Sequence, residues 1–146
     1  LTTTADVSMG RLLGIDYGEK RIGVSVSDPT GTIAFPFDTL LCSSGDDLLV
    51  QLQELIISEK IEGVIVGLPI GMNGQETKQT KLVQQFVELL RRHLDLPIHT
   101  ADERLTSVAA ENVLKEQKIQ PSRNKAMVDS TAAALILQTF LDRTKR

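Results

Sequence analysis

Three acidic residues stand where packing alone would prefer something else. Asp16 lies at the end of the apolar run Arg11–Tyr17 (RLLGIDY), just before Gly18. On an extended segment Ile15 and Tyr17 share one face and Gly14 and Asp16 the other. Gly14 and Gly18 are expected to leave open space around the Asp16 side chain. A buried carboxylate without a partner costs several kcal/mol, so it calls for a metal, a cluster of donors or water. The plain alternative is a turn Asp that accepts from the following backbone amides.

The second acid stands in Asp102-Glu103-Arg104, after an apolar segment at residues 96–100 and before a helical segment opening at Thr106. Acidic groups at strand ends of open α/β sheets lie where ligands bind. Helix capping is the competing reading, since a carboxylate near a helix N-terminus is favoured by the dipole. The third is Asp129, which heads a helical stripe of Ala132, Ala133, Ile136 and Phe140. That stripe must face the sheet, and a charge on it is unusual without a partner. An Asp in the first helical turn, held by the dipole, is the alternative.

If the three converge at one sheet edge, they offer hard oxygen donors suited to Mg²⁺ or Mn²⁺. Zn²⁺ prefers His and Cys, and the chain has only His93, His99 and Cys42. His99 adjoins the acidic cluster in sequence, but a lone His is more often structural. Asp102 is the neighbouring candidate to Glu103, because adjacent residues on an extended segment point to opposite sides.

The elements that must place these groups can be read from periodicity. The run to Tyr17 and the alternating Ile22, Val24, Val26 predict a β-hairpin turning at Gly18-Glu19-Lys20. Residues 33–39 supply a third strand, with Pro36 pushing it to a sheet edge. Residues 46–59 are predicted helical, with Ser44 or Asp46 as cap. Residues 63–67 (GVIVG) form a wholly apolar strand, as in a parallel strand buried on both faces. A glycine-rich loop at 69–74 leads to a second amphipathic helix at 77–93. A strand at 96–100, a helix at 106–116, a polar loop at 117–124 and a last helix from 125 to about 141 complete the order. The pattern is an α/β layered domain with a mixed sheet, residues 11–146 forming one unit.

Composition narrows the field. The 146 residues are 41% apolar and 24% charged, as in a soluble globular domain. Aromatics make up 3%, so a stacking platform for bases is not expected. Net charge is −3, so contact with nucleic acid would need a local basic patch. One cysteine permits no internal disulfide. No apolar run is long enough to span a bilayer. The polar residues 1–10 read as a disordered tail without a signal-peptide core, and a cytoplasmic setting with no membrane partner is expected.

Four ordered motifs carry a resemblance. They are Leu13 to Asp28 (LGIDYGEKRIGVSVSD), Val66 to Gly74 (VGLPIGMNG), Asp102 to Ser107 (DERLTS), and Asp129 with the run from Ala132 to Gln138 (AAALILQ). With these, the chain resembles the YqgF family, also called RuvX, of the RNase H-like nuclease superfamily. Gly71 and Asn73 stand where that family more often shows Asn and Asp. The resemblance implies a five-stranded mixed sheet with helices on both faces, and catalytic acids at Asp16, Glu103 and Asp129 that hold one or two Mg²⁺ or Mn²⁺ ions. It implies hydrolysis of a nucleic-acid phosphodiester, with the 5′ end of pre-16S rRNA as substrate or, by analogy with RuvC, a branched DNA junction. It leaves monomer and homodimer open.

Lys20, Arg21 and Arg104, near these acids in sequence, are the candidates for phosphate contacts, with Arg123 and Lys125 from the loop before Asp129. Backbone N–H groups of the 69–74 loop are a further candidate. Two rival readings remain. Asp16, Gly18, Gly23 and Asp28 fit the Asp-x-Gly-x4-Gly-x4-Asp hairpin of actin-like and sugar-kinase ATPases. A non-catalytic nucleic-acid-binding module is the other, although such a module should have lost one of the acids.

Overall fold

The computed structural model describes residues 10–41, 44–105, 108–117 and 125–144, the side chains of 105 and 125–127 excepted. Five strands form one sheet in the order β3-β2-β1-β4-β5. β1 (Arg11–Tyr17) and β2 (Arg21–Ser27) pair antiparallel, and the Gly18 N–H closes their turn on the Arg21 carbonyl at 3.1 Å. β3 (Ala34–Leu41) runs antiparallel to β2. β4 (Ile61–Leu68) lies parallel to β1, and β5 (Ile98–Asp102) parallel to β4. Pro36 falls on the edge strand beside a register shift, where a missing N–H costs least.

Helices cover both faces. α1 (Gly45–Ser58) and α2 (Lys78–His93) enclose one core with Leu13, Ile15, Ile22, Val24, Val64 and Val66. α3 (Val108–Glu116) and α4 (Lys125–Thr144) enclose the other with Leu12, Ala34 and Ile65. β4 feeds alternate residues to both, which explains its unbroken Val/Ile run. Ser44 caps α1 by accepting from the Asp47 N–H at 3.1 Å, and a Thr77–Thr80 capping box starts α2. Tyr17 stacks on Phe86 at 4.3 Å, tying the end of β1 to α2.

Some boundaries differ from the periodicity. β5 starts two residues later than expected, because Pro97 has no N–H for the ladder and only its carbonyl pairs, with the Val64 N–H. The expected helix is described as α3 from Val108, after a 3-10 turn over Glu103–Leu105, while its expected start at Thr106 lies outside the described residues. α4 runs on to Thr144. Cys42, Arg123 and the expected tail at 1–9 lie outside the described residues. Among the described residues, no helix is long and apolar enough to cross a membrane.

Candidate active site

All three acids belong to the α4 side of the sheet, toward the ends of β1 and β5. Asp16 follows Leu12 and Gly14 on that face of β1, and its register partner on β2 is Gly23. Gly23 is in turn covered by α4: a Cβ there would stand 1.9 Å from the Asp129 carbonyl oxygen. Farther along α4, a Cβ on Gly14 would stand 2.8 Å from Leu137 Cβ, and the buried Ser25 hydroxyl donates to the Ala133 carbonyl at 2.8 Å. The helix backbone therefore rests on glycine and serine positions of β1 and β2. Such close seating brings a helical side chain within reach of a strand end.

Glu103 arrives from the other direction. It stands in the 3-10 turn just after β5, and its Oε2 lies 2.9 Å from where a Gly67 Cβ would be. Gly67 is two residues past Ile65 on β4, the strand beside β1. Bare strand positions thus flank Asp16, with Asp129 above Gly23 and Glu103 above Gly67. The sequence expectation assigned that space to Gly14 and Gly18, and the structure does not bear this out. Gly14 is filled by α4, and Gly18 sits against the Arg21 carbonyl at the hairpin turn. Gly23 and Gly67 were the signal missed, although each interrupts a strand that has no need of a turn there.

Electrostatics link the acids. Burial, then the charge of Asp129, raises the Asp16 pKa above its ordinary value. Burial, then Asp16 and Asp102, pushes Glu103 up to about 7. Among the described residues neither the Asp16 nor the Glu103 carboxylate accepts a hydrogen bond or pairs with a cation. Asp129 differs: its Oδ2 accepts from Arg21 Nε at 2.8 Å. Among the described residues no three acidic, imidazole or thiol side chains stand close enough together to form a ready-made ion site. The arrangement is two partly buried, mutually repelling carboxylates and a third held by an arginine.

The other candidates are distributed as follows. Asp102 takes Arg104 in a two-pronged ion pair, Nη2 to Oδ2 at 2.7 Å, and also accepts from the Arg104 N–H. That hydrogen bonding lowers the Asp102 pKa. Arg104 Nη1 reaches the Gly71 carbonyl at 3.5 Å, linking the turn after β5 to the glycine-rich loop. Within that loop the N–H groups of Gly71, Gly74 and Gln75 are spent on Gln75 O, Gly71 O and Asn73 Oδ1. They are not presented as a phosphate cradle. Lys20 is exposed at the hairpin turn. Lys125 opens α4, while Arg123 is not described. His99 stacks on Phe140 at 5.6 Å, and Phe140 lies about 16 Å along α4 from Asp129.

α4 begins at Lys125, one full turn before Asp129. Asp129 is therefore not an N-terminal dipole residue, and that bland explanation for its charge falls away. Asp28 is also explained. Its carboxylate accepts from the N–H groups of Thr30, Thr32 and Ile33 and from the Thr30 hydroxyl. Against the upward push of burial, these bonds hold it at about 2. Asp28 organises the β2–β3 turn, so the resemblance to an ATPase hairpin has a structural cause.

Comparison with known proteins identifies the family and the fold. The RuvX family model, described as Holliday junction resolvase, matches residues 10–143. The chain belongs to the RuvX family. A relative in Roseiflexus sp. (strain RS-1), named "Putative pre-16S rRNA nuclease", is 45% identical over 133 residues, covering 91% of this chain and 94% of its own. A Maridesulfovibrio salexigens relative of the same name is 41% identical, with 91% and 98% covered. The fold is RNase H-like. The Thermus thermophilus RuvC in complex with Holliday junction substrate superposes with a TM-score of 0.61 at 12% identity, over 93% of this chain and 97% of that one. The yeast mitochondrial resolvase Ydc2 gives 0.55 at 13% identity, over 90% and 78%. This RuvX chain thus combines a resolvase-type fold with relatives named for ribosomal RNA processing.

Proposed function

We propose that this chain is a nuclease that hydrolyses nucleic-acid phosphodiesters with the aid of a divalent cation, and that its substrate is the 5′ region of pre-16S rRNA. The observation that carries the reading is the position of Asp16. It stands between two bare strand positions, one bearing Asp129 and the other Glu103, and it shares electrostatic strain with both. Asp16 and Glu103 are partly buried carboxylates that repel one another and lack basic partners among the described residues, a combination that a bound dication would relieve.

The donor set fits Mg²⁺ or Mn²⁺: oxygen ligands only, with Asp16 central and Glu103 and Asp129 at its sides. When bound, such an ion supplies Lewis-acid polarisation and charge neutralisation at the phosphoryl group. The chain supplies the rest. Asp16 is fixed by the β1–β2 and β1–β4 ladders. Glu103 is oriented by its turn and by contact with Gly67. Lys20, exposed at the hairpin turn, and Arg104, beside Glu103 in sequence, are the candidates for phosphate contacts, with Arg123 and Lys125 ahead of Asp129 in sequence as further ones. The sequence-similar relatives favour the ribosomal RNA substrate over the branched DNA named in the family description.

The test is a Mn²⁺-dependent cleavage assay on precursor ribosomal RNA beside a four-way DNA junction, with mass measured in solution. Cleavage of the RNA by the parent and loss of at least about 100-fold in folded Asp16→Asn are expected. Junction cleavage by a dimer, with the RNA left intact, would reassign the substrate. An Asp16→Asn variant as fast as the parent would remove the catalytic assignment.

A further inference from the structure

Arg21 is an odd partner for a residue of a cation site. The Arg21–Asp129 contact spans 108 residues of sequence and, among the described residues, gives Asp129 the cationic partner that Asp16 and Glu103 lack. Arg21 uses only Nε in it. Neither Nη group has a described partner, and the side chain is 36% exposed. Arg21 opens β2 immediately after the exposed Lys20, two residues before Gly23, on whose surface the Asp129 backbone rests. One guanidinium therefore grips a site carboxylate with one edge and shows its remaining donors to solvent.

We propose that Arg21 is a latch: it holds Asp129 from the cation in the free protein and releases it when a backbone phosphate of the nucleic acid takes the guanidinium. This rests on the proposed function and adds an order of assembly to it. A phosphate matches the two-pronged guanidinium as well as a carboxylate does and carries a full charge. The exposed Nη edge is where it would first dock. Once Arg21 turns to the phosphate, the Asp129 carboxylate loses its counter-ion beside Asp16. Those two anions then raise the affinity for a dication. Among the described residues the three acids do not form a closed group, and Asp129 is the one whose carboxylate a guanidinium holds. By linkage, nucleic acid must tighten cation binding by the factor by which the cation tightens nucleic-acid binding. The latch would keep the site from holding a charged, hydrolytic ion in the absence of substrate.

The test reads Mn²⁺ binding to the intact chain by calorimetry, with and without a short non-hydrolysable RNA analogue. Parent, Arg21→Gln, Asp129→Asn, the double variant and Asp16→Asn are compared, each checked by circular dichroism. For the parent, the RNA analogue should tighten Mn²⁺ binding about 5- to 50-fold. Arg21→Gln should bind Mn²⁺ severalfold tighter than the parent without RNA and lose most of the coupling. In the Asp129→Asn background the same Arg21 change should do nothing, which separates a latch from simple removal of a positive charge. Arg21→Lys, which keeps charge without the planar fork, should fall between. Equal Mn²⁺ binding by parent and Arg21→Gln, with Asp16→Asn weakened, overturns the latch and leaves the nuclease reading standing. The same tightening in the Asp129→Asn background also overturns it, in favour of a general charge effect. If Asp16→Asn binds Mn²⁺ like the parent, the ion is elsewhere and both readings fall.

Discussion

Gly23 lies directly beneath the backbone of Asp129: a Cβ on Gly23 would stand 1.9 Å from the Asp129 carbonyl oxygen and 3.1 Å from the Ser130 nitrogen. Both atoms are main chain, so no rotamer change relieves the clash. Gly23→Ala must lift the start of α4 from the sheet and carry the Asp129 carboxylate with it. The expected cost is about 2–3 kcal/mol or more in urea unfolding, with nuclease activity lost in parallel. An alanine variant with an unchanged unfolding midpoint would show that α4 is not seated as described.

Gly67 makes the opposite kind of contact. Its added Cβ would meet Ile136 Cδ1 at 2.5 Å and Glu103 Oε2 at 2.9 Å, both ends of side chains. Those can turn aside, so Gly67→Ala should cost only about 1 kcal/mol. Displacing Glu103 is another matter for a site in which small misplacements count. A drop in kcat of about 10- to 100-fold is expected alongside near-parental stability. The reverse result, stability lost and kcat kept, would mean that the Glu103 position does not matter to the chemistry.

The contrast between these two glycines shows what the sequence could reveal. Period-two and helical spacing gave the hairpin, the doubly buried β4 and the covered faces, because burial alone sets those patterns. Asp16, Glu103 and Asp129 were visible as acids in the wrong places. Their seating was not, since a glycine in a strand signals close approach without naming the partner. The Arg21–Asp129 pair joins elements 108 residues apart, and no local pattern encodes it. Arg21 and Arg104 were legible as cations near the site, but not as cations already engaged with Asp129 and Asp102. The start of β5 at Ile98, after Pro97, and the 3-10 turn at Glu103 escaped the periodicity because each depends on backbone hydrogen bonding, not on apolar spacing.

Asp28 offers a test of a purely structural acid. Its hydrogen bonds to the 30–33 segment hold the carboxylate at about 2, from an ordinary 3.8. Such a group contributes stability above its unfolded pKa, and that contribution is lost as pH falls through about 2. Asp28→Ala should therefore cost about 1–2 kcal/mol at neutral pH and leave metal-dependent cleavage per folded molecule unchanged. ATP should give no thermal stabilisation in parent or variant. A nucleotide-dependent rise in Tm that vanishes in Asp28→Ala would restore the ATPase-hairpin reading.

Glu103 predicts the reverse pH dependence. Its carboxyl is pushed from 4.5 to about 7 by burial first and by Asp16 and Asp102 after it. Between those values the folded protein binds a proton that the unfolded chain has released. Stability from this group is then fully present below about 4.5 and declines as pH rises through 7. With the side chain partly exposed, the decline should be on the order of 1–2 kcal/mol after allowing for solvent screening. Chelator-treated protein should melt at a lower Tm at pH 8 than at pH 6, and folded Glu103→Gln should flatten that slope. Asp16, raised by burial and by Asp129, adds to the same trend from a lower starting value. Mn²⁺ should raise Tm more at pH 8 than at pH 5, because an ion bound only by the folded state relieves the carboxylate repulsion. A parent and a Glu103→Gln variant with superimposable Tm–pH curves in chelator would remove the strained carboxylate on which the cation-site reading depends.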